Sequence, residues 1–344
     1  MRAITIDPGQ ELPDLTGEDI VIVENVTVGG QRLRKGQRLQ PEERDLLTQL
    51  DRPLHAVVLE PGDLHEDVAG GRLAAAVAGP GLEVRGPKHS RYDLVAATKG
   101  LLRVDAEALL RLNQLPGVAI FTLEDRLPVV PGKLVTGVKV TPIAVADETI
   151  REAERIAAES PVIQVVPFQP LRVGVLTTEG PEWRVRERFQ ESVNQKIGWY
   201  GGEVVGFSDQ PPEIEAIAAE IERLADDGVD LVLAAGGSTI DPLDPTLRAL
   251  DVAGAELVRS GAPAHPGSMF WLAYRGDLPI FNLASCSMFS KATIADVVLP
   301  WIMTGERVES DTLASLGFGG LLERGMAHRF PPYDVDTVDE KGEE

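Results

Sequence analysis

Apolar and polar positions follow two different rhythms along this chain. From about residue 169 onward, short apolar runs alternate with longer stretches of helical spacing. Residues 172–178 (RVGVLTT) read as a buried strand, and residues 183–197 carry Val185, Phe189, Val193 and Ile197 every four residues, as an amphipathic helix does. Residues 203–207 form the next strand-like run. Residues 213–225 then place Ile214, Ile217, Ala218, Ile221 and Leu224 on one stripe, with Gly228 beyond as a stop signal. The run 230–235 is apolar after its first residue. Strands alternating with helices of this length imply βαβ units. The expected fold for 169–310 is therefore α/β, a three-layer domain with a mainly parallel sheet.

The first 168 residues are less regular and read as a mixed α+β region. Residues 19–28 are rich in Val and Ile and end at a Gly29-Gly30 turn; a helix is expected from about Pro41, with Leu46, Leu47 and Leu50 on one face. Residues 55–59 suit a strand ended by Pro61-Gly62. Helices are expected near 66–77 and 105–112, a half-buried strand over the period-2 run 133–145, and a helix over 146–160 carrying Ile150, Ala153, Ile156 and Ala157. The expected division is 1–168, 169–310 and a C-terminal extension 311–344. In that extension Asp334, Asp336, Asp339, Glu340, Glu343 and Glu344 follow Pro331 and Pro332, and the segment reads as a solvated, disordered tail.

Composition narrows the function classes. Apolar residues make up 43% and charged residues 25% of the 344, ordinary values for a folded chain. No run approaches the roughly 18 apolar residues of a membrane span, and the N-terminus lacks a basic segment and an apolar signal core, so a cytoplasmic protein without membrane contact is expected. The formal charge of −21, from 33 basic and 54 acidic residues, opposes binding to nucleic acid. Cys286 is the only cysteine, which excludes an internal disulfide and a multi-cysteine metal site. The five histidines, His55, His65, His89, His265 and His328, form no metal-ligand pair in sequence.

Ligands of open parallel sheets bind beyond the carboxyl ends of the strands. Two segments there could carry chemistry. One is Thr177-Thr178-Glu179-Gly180, with two hydroxyls at a strand end. The other runs from Gly236 to Pro245 (GGSTIDPLDP). Paired glycines let the backbone approach a phosphate, Ser238 and Thr239 add donors, and a helix beginning after Asp244-Pro245 contributes partial positive charge. A Gly-Gly pair after a strand is also an ordinary turn, and Asp-Pro an ordinary helix start. The loop has neither the Walker lysine nor GxGxxG.

The run LVLAAGGSTIDPLDP resembles the molybdopterin-binding signature, in which a strand ends in Gly-Gly and an Asp follows; Gly236, Gly237 and Asp244 match it. VGVLTT, the Gly201-Gly202-Glu203-Val204-Val205 segment and the helix before Asp230 follow the order of parts in molybdopterin molybdenumtransferases. PGSMFWLAYRGDLPIFNLASCSMFSK is similar to that family's closing segment, although Leu283-Ala284-Ser285-Cys286-Ser287 replaces its Pro-Gly-Asn-Pro loop. The Ser-x-x-Asp-Gly-Tyr-Ala segment of full molybdenumtransferases is missing. LRKGQRL, GLLRVDAEAL and GKLVTGVKVTPIAV instead resemble a shorter, divergent branch linked to maturation of molybdenum hydroxylases.

The resemblance implies molybdopterin as cofactor, held by Thr177, Thr178, Gly236, Gly237, Ser238, Thr239, Ser285 and Ser287, with Asp241 and Asp244 as catalytic acids and Asp244 as a magnesium ligand. It implies a role in molybdenum cofactor biosynthesis or insertion, as a molybdenumtransferase-like enzyme or as a non-catalytic carrier or assembly factor for molybdenum hydroxylases. A nucleotide-sugar pyrophosphatase is a further alternative. A pterin or nucleotide ligand, a molybdoenzyme or nucleotidyltransferase partner and a homo-oligomer go with it. Cys286, in the closing loop, reads as a small core residue, or else as a soft ligand or sulfur-exchange site.

Overall fold

The structure, a computed structural model, describes residues 1–178, 183–237, 241–283 and 293–338. The chain packs into two compact units, one of residues 1–97, 103–125 and 134–164, the other of residues 98–102, 126–133 and 165–344.

In the first unit the chain order begins with β1 (Arg2–Ile6), β2 (Asp19–Ile22), β3 (Val26–Val28), β4 (Gln31–Leu33), α1 (Arg44–Leu47), β5 (Leu54–Leu59), β6 (Asp63–His65) and α2 (Glu66–Val77). The chain continues through β7 (Leu82–Lys88), β8 (Arg91–Ala96), β9 (Gly100–Val104), α3 (Ala106–Asn113), β10 (Val118–Thr122), β11 (Pro128–Val129), β12 (Leu134–Val140), β13 (Ala144–Ala146), α4 (Asp147–Ala157) and β14 (Ile163–Pro167), of which β11 falls in the second unit and β9 and β14 are divided between the two. The strands pair antiparallel in the orders β1-β5-β2, β10-β12-β8-β7, β13-β6 and β3-β4. The pairs Pro128↔Leu101 and Val129↔Gly100 of a further sheet, β11-β9-β14, belong to the second unit.

α2 occupies the expected stretch and buries Leu73 and Val77 together with Ala69, Gly70 and Ala74, small residues that let it lie close to β8 and β12. Two expectations need correction here, and one element was not expected. The helix expected from Pro41 is only a 3₁₀ turn, Pro41–Glu43, and the single turn α1. The period-2 run 133–145 is two strands, because Pro142 has no N–H to continue the ladder. The hairpin of β7 and β8 had no sequence signal. Its turn residues His89 and Ser90 take φ of 53° and 59°, a conformation usually announced by Asn-Gly.

The second unit follows the expected alternation: β15 (Arg172–Thr177), α5 (Trp183–Trp199), β16 (Glu203–Asp209), α6 (Ile214–Asp226), β17 (Leu231–Ala235), α7 (Pro245–Val252), β18 (Glu256–Ser260), β19 (Trp271–Arg275), β20 (Leu278–Asn282), α8 (Ile294–Ile302) and α9 (Ser310–Ser315). The sheet order is β16-β15-β17-β20-β19-β18. β16, β15, β17 and β20 run parallel, while β19 and β18 turn back as an antiparallel edge. Alternate strand residues feed two apolar clusters. Val173, Val175, Leu231, Leu233 and Phe281 pack with Phe189, Val193 and Ile197 of α5 and with α8. Leu176, Val232, Ala234 and Ile280 pack with Ile217, Ile221 and Leu224 of α6 and with Ala249 and Leu250 of α7. Gly174 lets α6 close on the sheet, since a Cβ there would lie 2.8 Å from Leu224 Cδ2. Phe270, Trp271 and Trp301 are core residues, each at most 3% exposed.

The acidic tail is also corrected as far as residue 338. Tyr333 is buried and its hydroxyl donates to Asp296 Oδ1 at 2.8 Å, Trp199 Nε1 donates to the Val335 carbonyl at 2.9 Å, and Val338 N donates to the Pro131 carbonyl at 2.9 Å. Tyr333, Val335 and Val338 are the apolar punctuation that a reading dominated by acidic residues undervalued. Residues 339–344 lie outside the described residues.

Candidate functional site

β15 and β17 are hydrogen-bonded neighbours with Thr177 opposite Ala235, so the segments leaving them emerge side by side at the carboxyl edge. Thr178 N donates to the Ala235 carbonyl at 3.2 Å, and Thr178 Oγ1 lies 3.4 Å from Thr246 Oγ1 at the start of α7. Gly236 sits against both hydroxyls: a Cβ there would be 2.1 Å from Thr178 Oγ1 and 3.1 Å from Thr246 Oγ1. Gly237 has a φ of +67°, and a Cβ there would be 2.8 Å from Trp271 Nε1. Glycine is thus required at 236 by space and at 237 by both space and conformation.

Trp271 supplies the electrostatic feature of this loop. The residue is 1% exposed, and its indole N–H meets no acceptor among the described residues. A buried donor without a partner costs about 1–3 kcal/mol. It sits beside the Gly237 backbone.

The two threonines divide in role. The Thr177 hydroxyl donates to the Asp209 carboxylate at the end of β16, and Asp209 Oδ2 pairs with Arg186 Nη1 of α5 at 2.5 Å. Thr177 is therefore tied to the neighbouring strand, whereas Thr178 lies against the glycine loop. Arg186, Asp209, Thr246 and Trp271 are the residues that sequence reading missed. The strand register that sets Thr177 opposite Asp209 brings two of them in, and no local motif marks any of them.

The acids hold their own loop. Asp244 Oδ1 accepts from Thr246 N at 2.8 Å and Leu247 N at 3.4 Å, capping α7, with Pro245 in the first turn. Asp241 Oδ1 accepts from Leu243 N at 2.9 Å, and its carbonyl accepts from Asp244 N at 3.1 Å. Among the described residues no group of three or more His, Cys, Asp or Glu side chains is placed to hold a metal ion. With one oxygen of each acid engaged by backbone, this pair does not fit a protein-only magnesium cage.

Ser238, Thr239, Ser285, Cys286 and Ser287 lie outside the described residues. The closing segment leaves the sheet from the strand beside β17, with Leu283 N donating to the Ala234 carbonyl at 2.8 Å. A cavity of about 390 Å³ in this unit lies at the other edge, lined by Leu171, Asp230 and Pro279 at the beginnings of β15, β17 and β20. It is not part of the glycine-loop site. No helix among the described residues is long and apolar enough to cross a membrane.

No family model matches the chain, and no curated protein matches it. Among solved structures, it is similar to the molybdopterin biosynthesis enzyme MoaB from Thermus thermophilus, at 22% identity over 40% of this chain and 98% of that one, with a TM-score of 0.29. It is also similar to the molybdopterin biosynthesis MoeA protein from Pyrococcus horikoshii, at 14% identity over 61% and 67% of the two chains, TM-score 0.31. A third is the protein CinA, of unknown function, from Thermoplasma acidophilum, at 13% identity over 39% and 98%, TM-score 0.31.

Proposed function

We propose that this chain binds molybdopterin, or its nucleotide form, at the carboxyl edge of the second unit's sheet and serves molybdenum cofactor biosynthesis or insertion. The observation that carries the reading is the glycine pair. Gly236 and Gly237 are packed against Thr178, Thr246 and the unpartnered Trp271 indole so closely that neither tolerates a Cβ. A turn alone needs positive φ at one position; it does not need two stripped positions flanked by hydroxyls and a buried N–H donor. An anionic phosphate oxygen meets backbone amides and the indole in such a cradle. The resemblance of LVLAAGGSTIDPLDP to the molybdopterin-binding signature supplies the pterin. Ser238, Thr239, Ser285 and Ser287 complete the proposed donor set, with Thr177 positioning the strand end.

Within this reading, a carrier or assembly factor is favoured over a molybdenumtransferase. Asp244 is engaged as a helix cap and Asp241 holds the turn before it, so neither carboxylate is free of a structural duty. What the residues do is bind and orient the phosphate and exclude water around it.

Mass spectrometry of protein purified from molybdenum-replete cells tests the assignment. A pterin fluorophore is expected in the wild type and a loss of at least about tenfold in occupancy in Gly237→Val, whose folding is checked by circular dichroism. Equal occupancy would make the Gly-Gly segment merely a turn. Asp244→Asn keeps the cap while removing the charge: a carrier retains cofactor transfer, whereas a molybdenumtransferase loses molybdate-dependent turnover. Stabilisation by ADP-ribose in a thermal shift, without a bound pterin, would favour the pyrophosphatase alternative.

A further inference from the structure

The first unit contains a cavity of about 480 Å³ lined by Asn25, Arg32, Arg34, Lys35, Glu66, His89, Ser90 and Lys139. Four basic side chains converge there, in a chain whose net charge is −21. The guanidinium groups of Arg32 and Arg34 and the Lys35 ammonium have no carboxylate partner among the described residues, where most other arginines are ion-paired. Lys139 reaches the cavity from β12, where its ammonium donates to the His89 carbonyl at 3.4 Å.

The second observation is Glu66, the first residue of α2. It is 2% exposed, and its side chain makes no hydrogen bond or ion pair among the described residues. Its carboxylate lies in the cavity wall against Gly36, where a Cβ would come within 2.9 Å of Oε1. The wall is held firmly. His65 Nε2 donates to the Gly36 carbonyl at 2.9 Å while its Nδ1 accepts from Asp67 N at 3.2 Å, which fixes the ring between the two backbone groups. Asn25 Oδ1 accepts from Lys35 N at 3.1 Å. The residue is buried by its own unit, yet it lines the cavity, so a donor bound there can reach its carboxylate.

We propose that this cavity is a second ligand site, independent of the glycine loop, for a small phosphate ester that also carries an ammonium, amino or hydroxyl donor. The phosphate meets Arg32, Arg34, Lys35 and Lys139, and the donor meets Glu66. Two-point recognition explains both halves of the arrangement: cations alone would take any anion, and the carboxylate selects one that brings a donor. The cavity volume suits a small metabolite, within the roughly 300–1,000 Å³ of ligand pockets.

The test is calorimetry on the full chain with two probes, O-phosphoethanolamine and ethyl phosphate, which differ in the ammonium group. Phosphoethanolamine should bind about tenfold or more tighter, the range of a charge-assisted hydrogen bond. Glu66→Gln should reduce that preference severalfold while leaving ethyl phosphate affinity within about twofold. Arg34→Ala, a change to an exposed side chain, should weaken both probes by roughly tenfold, and it keeps the proposal testable if Glu66→Gln does not fold. Equal affinity for the two probes in the wild type would overturn the proposal. So would an Arg34→Ala variant that binds as the wild type does, or binding of a single-stranded oligonucleotide with no response to either small probe.

Discussion

The two units hold their candidate anion sites by opposite means. In the second, an uncharged cradle of glycine backbone, threonine hydroxyls and an indole N–H stands at a strand edge; in the first, exposed cations surround one buried carboxylate. The first kind is assembled from a few contiguous loops because parallel strands deliver successive loops to the same edge. The second gathers residues from 25 to 139, delivered by antiparallel hairpins and a helix start. A cradle of backbone groups selects shape and loses little affinity to salt, while a ring of cations selects charge and is weakened by salt.

All four tryptophans, Trp183, Trp199, Trp271 and Trp301, belong to the second unit and none to the first, so fluorescence reads one unit and far-UV circular dichroism reads both. The largest expected effect is Asp296→Ala. Asp296 is 1% exposed and accepts from Lys196 Nζ at 2.8 Å, Tyr333 at 2.8 Å and Thr293 Oγ1 at 2.8 Å. Removing that common acceptor should destabilise the second unit by about 3–5 kcal/mol, read as a lower fluorescence midpoint in urea. Burial holds the Tyr333 hydroxyl well above its ordinary pKa, so it stays a neutral donor to Asp296 through the working pH range.

Leu73→Ala tests the other side. Leu73 is fully buried in α2, and the substitution should cost about 2–4 kcal/mol, seen in the dichroism transition with the fluorescence midpoint unchanged. A fall in both midpoints would break the comparison, because the units would then unfold as one. Asp244→Ala should cost about 1 kcal/mol of second-unit stability through loss of the α7 cap, and Asp244→Asn close to nothing. Equal losses in the two variants would mean that the charge at 244, and not the cap, matters to the fold.

The smallest effect concerns acid. In the first unit Arg72 makes a bidentate pair with Glu154 and a further hydrogen bond to Asp147, holding Glu154 below its ordinary 4.5 and Asp147 below 3.8. Acids depressed in the folded state contribute stability that is full above those ordinary values and lost as pH falls through the lower folded ones. The first unit's thermal midpoint should therefore fall as the pH is lowered below about 4.5, and Arg72→Met should flatten that dependence.

Legibility differed by region for a physical reason. The strands and helices of the second unit from 172 to 235 could be read because burial on both sheet faces makes strands uniformly apolar and helices one-faced, patterns that survive in sequence. The hairpin of β7 and β8 could not, since its turn is His89-Ser90 and its strand β7 is largely exposed. Thr178, Gly236 and Gly237 were legible as a candidate site because strand ends and glycine pairs are local signals. Thr246 and Trp271 were not, as only the sheet brings them against those glycines.

What the sequence by itself determined is local: period, turn chemistry, the glycine pair at the end of β17 and the Asp-Pro start of α7. Tertiary structure alone decided which side chains share a space. It placed the Trp271 indole beside Gly237, gave Asp244 to its helix, drew Tyr333 of the acidic tail onto Asp296, and set Glu66 among cations contributed by two other segments. Those pairings depend on register and packing between residues far apart in the chain, and no local pattern of hydrophobic and polar positions encodes them.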